Sequence, residues 1–67
     1  MMQQYTFAAT GASKRIRSKT FFSRQAATQH MYDVCGKLGT AIKEIYNDKH
    51  SKTYICEDGT RFFINRV

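Results

Sequence analysis

Thr53-Tyr54-Ile55-Cys56-Glu57-Asp58-Gly59-Thr60-Arg61-Phe62-Phe63-Ile64 is the stretch on which the fold turns. Two runs rich in β-branched and aromatic residues flank Asp58-Gly59, the strongest turn signal in the chain, because a type I′ hairpin needs positive φ at both central residues. With that turn, Glu57 pairs with Thr60, Ile55 with Phe62, Tyr54 with Phe63 and Thr53 with Ile64. The two-residue period then puts Ile55, Phe62 and Ile64 on one face, and Tyr54, Cys56, Arg61 and Phe63 on the other.

Upstream, residues 41–47 read as a further strand, and the polar loop around Lys49 and His50 sets Tyr46 opposite Thr53. The last third is therefore three strands, 41–47, 52–57 and 60–67. Ile42 and Tyr46 join the face of Ile55, which a helix would cover, while Ile45 joins the other. Glu44 falls on the nominal core face and marks the weakest point of this register.

Before these strands, Ser23 is a good N-cap, its hydroxyl able to accept from an amide of the first helical turn. Ala27, Met31, Val34, Cys35 and Leu38 follow on one helical stripe, and Gly39 stands where a left-handed C-terminal residue is wanted. Thr28, Gln29, Asp33 and Lys37 occupy the wet side. Gly36 weakens the last turn by about 1 kcal/mol relative to alanine.

The N-terminal third alternates as a half-buried hairpin. Residues 5–10 form one strand, Gly11, Ala12, Ser13 and Lys14 the loop, and residues 15–22 the second strand, with Thr10 opposite Arg15. This register collects Tyr5, Phe7, Ala9, Ile16, Ser18, Thr20 and Phe22 on one side. Thr6, Ala8, Thr10, Arg15, Arg17 and Lys19 lie on the other, away from the core. A one-residue slip would bury the cations, which is costly for unpaired ions. The expected architecture is α+β, ββαβββ, a mainly antiparallel sheet with one helix packed on one face.

The chain has 67 residues, with neither proline nor internal repeat, and reads as one domain, 1–67. A domain this small holds a core worth no more than about 3–5 kcal/mol, so a homodimer is a natural reinforcement. Eleven Lys and Arg against five Asp and Glu give a net charge of +6. Four of those cations, Lys14, Arg15, Arg17 and Lys19, fall before Phe22 with no acid among them. Such asymmetry points to a polyanion or an acidic protein surface. There is no apolar run of membrane-spanning length, and the first ten residues lack a basic start and an apolar signal core, so a cytoplasmic protein is expected. Two cysteines in that setting are expected to be reduced and buried.

A single helix leaves one sheet face bare. The expected site lies there: Arg15, Arg17, Lys19 and Arg61 neutralising phosphates, with Tyr54 and Phe63 as stacking groups for exposed bases. The competing accounts are a solubilising charged strand, or an interface with a protein, since aromatics and arginine are enriched at binding hot spots. A homodimer through this face would stack like charges. His30, Cys35, His50 and Cys56 have no zinc-site spacing, and no cofactor is called for. Asp48-Lys49-His50-Ser51-Lys52 is the one cluster of potentially catalytic groups, and a polar hairpin loop explains it without catalysis, so an enzyme is not expected.

The compact β-rich build, with its terminal hairpin Cys56-Glu57-Asp58-Gly59-Thr60-Arg61-Phe62-Phe63, resembles small accessory proteins of phages and mobile elements, inhibitors of CRISPR nucleases among them. That resemblance implies either a nucleic-acid-binding accessory protein or an inhibitor of a host protein. A basic inhibitor, unlike the acidic ones that imitate DNA, would engage an acidic surface, a guide RNA or the nucleoprotein complex. The leading expectation is a small non-enzymatic protein that binds nucleic acid or a nucleoprotein complex.

Overall fold

The computed structural model describes residues 3–12 and 15–67. Its elements are β1 (Tyr5–Thr10), β2 (Lys19–Phe21), α1 (Arg24–Leu38), β3 (Ile42–Asn47), β4 (Ser51–Cys56) and β5 (Arg61–Arg66). The strands form one antiparallel sheet in the order β2-β1-β5-β4-β3, and α1 packs across β1, β2 and β5 on one face. The architecture is α+β with the order ββαβββ.

The helix begins and ends where its caps require. Ser23 has extended backbone and its Oγ accepts from the Ala26 amide at 3.1 Å, a kind of bond worth about 1 kcal/mol. At the other end Gly39 takes φ 72°, its amide donating to the Gly36 carbonyl while that of Thr40 donates to Cys35. This pairing satisfies two carbonyls the helix would otherwise leave orphaned. The buried stripe is Ala27, Met31 and Cys35, with Val34 and Leu38 half-buried beside it.

Under the helix lie Tyr5 and Phe7 from β1, Tyr54 and Cys56 from β4, and Phe62 and Ile64 from β5. Phe7 stacks on Phe62 with ring centroids 5.7 Å apart. Each such side chain contributes roughly 1.5–3 kcal/mol by leaving water. These few residues carry the fold.

The register of the β4–β5 hairpin differs by one residue from the sequence reading. Ile55 pairs with Arg61, Tyr54 with Phe62, Thr53 with Phe63 and Lys52 with Ile64. The cause is in the turn. Among the described residues only glycines have positive φ, so Asp58 cannot supply the first central residue of a type I′ turn. Instead Glu57, Asp58 and Gly59 form a three-residue loop. The Gly59 amide donates to the Cys56 carbonyl and the Cys56 amide to that of Thr60, while Asp58 Oδ1 accepts from the Thr60 amide at 2.9 Å. Gly59, at φ 92°, takes the left-handed position that closes such a loop.

One extra loop residue moves every β4 side chain to the opposite face from that expected. Tyr54 and Cys56 enter the core; Ile55 leaves it. The β3–β4 register is as expected, Tyr46 opposite Thr53, but a bulge between Ile42 and Glu44 changes faces within β3. Ile42 stays on the helix side, whereas Glu44 and Tyr46 turn to the open face. The β4 shift accounts for the misplaced glutamate, since Glu44 pairs with Ile55 and follows it to the open face, while the bulge keeps Ile42 on the helix side. Glu44 lies exposed and accepts a hydrogen bond from the Tyr46 hydroxyl.

The first hairpin is also displaced by one. Tyr5 pairs with Phe21, Thr6 with Thr20 and Phe7 with Lys19, and β2 is three residues long where eight were expected. Residues 15–18 are not part of the sheet. The slip carries Lys19 to the helix side without burying it, because β2 is an edge strand and begins there. Of the expected loop, Ser13 and Lys14 lie outside the described residues.

Candidate nucleic-acid interface

Of the four cations expected on the open sheet face, Arg61 is there, and the other three sit elsewhere. Arg15 and Arg17 precede β2, Lys19 opens it, and all three border a groove between this segment and α1. The helix contributes His30, Val34, Lys37 and Leu38, which its 3.6-residue period brings to one side. The groove encloses about 310 Å³. Ile16, Val34 and Leu38, all half-buried, supply apolar surface, and Arg15, Arg17, Lys19 and Lys37 are exposed around them. None of its lining residues is acidic.

His30 marks the inner end. Its ring meets Phe7 edge-on at 4.9 Å and Phe21 at 5.2 Å. Burial holds its imidazole below the usual histidine range, Lys19 and Lys37 push the same way, and Asp33, one turn along, opposes them. The neutral ring is thus favoured, and an anion that offsets those lysines would favour its protonation.

Three of the expected site residues do not join this groove. Arg61, between Thr10 and Ile55 in the register, and Phe63, between Ala8 and Thr53, lie on the sheet face opposite the helix. Tyr54 is corrected outright as a stacking group. It is 1% exposed, its ring 6.4 Å from Tyr32 and 5.6 Å from the Lys52 ammonium, so no base can reach its face. Tyr54 belongs to the core because the hairpin loop has three residues.

The Asp48–Lys52 loop is held by its own hydrogen bonds. The Asp48 amide donates to the Ser51 carbonyl at 2.8 Å, the Lys49 amide to Asp48 Oδ1 at 2.7 Å, and the Arg66 amide to the His50 carbonyl at 2.7 Å. The recess beside it measures about 30 Å³, room for about one water. Among the described residues no three His, Cys, Asp or Glu side chains gather as a metal site. Nor is any helix long and apolar enough to cross a membrane.

His30, Lys37, Val34 and Leu38 are absent from the site expected from sequence. Their signal was present, since positions 30, 34, 37 and 38 share a helical stripe, but its use required knowing which strand runs beside it. Compared with protein-family models, curated proteins and solved structures, the chain matches none.

Proposed function

We propose that the protein is a non-enzymatic cytosolic binder of nucleic acid, alone or within a nucleoprotein complex, and that the groove between β2 and α1 is where the strand lies. One observation carries this reading: four cations, Arg15, Arg17, Lys19 and Lys37, surround a groove with no acidic lining residue in a chain of net charge +6. Lysine and arginine placed this way displace the counterions condensed on a phosphate backbone. Ile16, Val34 and Leu38 offer apolar surface for a sugar or an unstacked base between those phosphates.

Titrating salt tests the reading. Four phosphate contacts correspond to a slope of about −3 to −4 in log K against log salt, and Arg15→Ala with Arg17→Ala should reduce it by about 2. Arg61→Ala should leave the slope unchanged, since Arg61 is on the other face. Absence of binding to single- and double-stranded DNA and RNA at low salt would overturn it.

A second reading is supported by the apolar floor: an acidic protein segment bearing apolar side chains also fits a groove of this make-up. The protein would then be an inhibitor or adaptor of the kind phage accessory proteins supply, with CRISPR nucleases as one class of target. A partner recovered from nuclease-treated host lysate, and lost with Val34→Asp, would favour it over the first.

A further inference from the structure

The sheet face turned away from α1 is uncovered among the described residues, and two rows of register partners cross it. One runs Glu44, Ile55, Arg61, Thr10; the other runs Tyr46, Thr53, Phe63, Ala8. Both rows share a design about β4. In the first, a carboxylate on β3 and a guanidinium on β5 flank Ile55. In the second, a tyrosine on β3 and a phenylalanine on β5 flank Thr53. Among the register-paired residues of this face only Glu44 and Arg61 are charged, so its paired rows carry no net charge in a chain of net charge +6.

We propose that this face docks on the same face of a second copy of the chain, about a two-fold axis lying between the sheets along β4. Rotation about that axis places β3 of each copy over β5 of the other. Glu44 then faces Arg61 of the second copy, Tyr46 faces its Phe63, and Ile55 and Thr53 meet their own equivalents. The surface is self-complementary in charge and in aromatic pairing, as an isologous interface must be. The geometry is that of two aligned sheets packed about 10 Å apart.

Other placements lack this match. An axis along β5 sets Arg61 against Arg61. Along β4, the strands left at the margin are β1 and the short β2, whose residues on this face, Thr6, Ala8, Thr10 and Thr20, are small or polar and tolerate water. The Tyr46 ring, 55% exposed in the single chain, gains a partner, and its hydroxyl already holds the Glu44 carboxylate on this face. A second copy therefore covers the largest exposed aromatic of the sheet and supplies the oligomeric reinforcement a core this small calls for.

Charge exchange tests the proposal. Sedimentation of the whole chain across concentration should show a monomer–dimer equilibrium. Glu44→Arg, Arg61→Glu and Ile55→Glu should each weaken it by more than about tenfold, since each sets like charges together on the axis or across it. The double exchange Glu44→Arg/Arg61→Glu should recover the dimer. Mixing the two single variants should do so as well, because the Glu44→Arg chain then presents arginines at both positions to the two glutamates of the Arg61→Glu chain. Amide spectra of each variant, matching those of the parent away from the substituted strands, separate loss of the interface from loss of the fold. A chain that stays monomeric, or a dimer indifferent to Glu44→Arg and Ile55→Glu, overturns the proposal. So does a monomer in which oligonucleotides shift the amides of Thr53, Ile55 and Phe63, which would give the face to nucleic acid.

Discussion

A Cβ added to Gly11 would meet the carbonyl oxygen of Gly59 at 3.0 Å. The end of β1 thus lies directly against the β4–β5 loop, and Gly11 also takes φ 74°, where side chains are strained. Gly11→Ala should destabilise the protein by about 1–3 kcal/mol, combining the two penalties. Gly59→Ala, at φ 92° but with open space around its Cβ, should cost less, about 1 kcal/mol. Urea denaturation of the two variants checks the order.

Tyr54 and Phe63 should respond oppositely to truncation, although they were paired in the expected register. Tyr54→Ala opens a cavity beneath the helix, and aromatic losses of this kind cost about 3–5 kcal/mol, enough to unfold most of so small a domain. Phe63→Ala, on the open face, should leave the fold in place. Amide dispersion in two-dimensional NMR spectra distinguishes them, and the reverse outcome would restore the two-residue turn.

Acidification should weaken the fold through His30. Its folded-state pKa is lowered, chiefly by burial and then by Lys19, so below the unfolded value of about 6.5 the unfolded chain binds the proton more readily. The stability this contributes is complete above that pH and is lost as pH falls toward the folded-state value. His30→Gln should flatten the dependence. A bound phosphate beside Lys19 offsets the lysine's field, so nucleic-acid affinity should rise over the same descent in pH, measured at fixed ionic strength.

Thiol chemistry should be slow. Cys35 and Cys56 are both free and buried, and burial first, then the neighbouring Cys35, pushes the Cys56 thiol up to about 11. Cys35 Sγ in turn donates to the Thr40 carbonyl at 3.1 Å. Since the thiolate is the reactive form, alkylation at pH 8 should proceed at the rate of opening and accelerate sharply in denaturant. Rapid labelling of the native protein would contradict this placement.

The helix was legible to the residue because its signals are local: Ser23, the stripe through Ala27, Met31 and Cys35, and Gly39 act within one segment. The order of elements was legible for the same reason. The faces were not, because each depends on a single residue at a turn or bulge. Asp58-Gly59 fits both a two-residue and a three-residue loop, and only packing of Tyr54 against Phe62 and Tyr32 selects between them. The bulge at Lys43 has no glycine to announce it. Of the site, Arg15, Arg17 and Lys19 were legible as charge, but their partners were set by how β2 meets the helix, a contact between segments that periodicity does not encode.

The bulge also limits how the sheet can grow. β3 forms one edge, and its irregularity between Ile42 and Glu44 interrupts the row of amides and carbonyls to which another strand would add. The other edge, β2, offers three residues. Neither rim offers a long regular template, which disfavours open-ended fibre growth by strand addition at either edge, whereas the proposed two-fold pairing of faces would close at two copies.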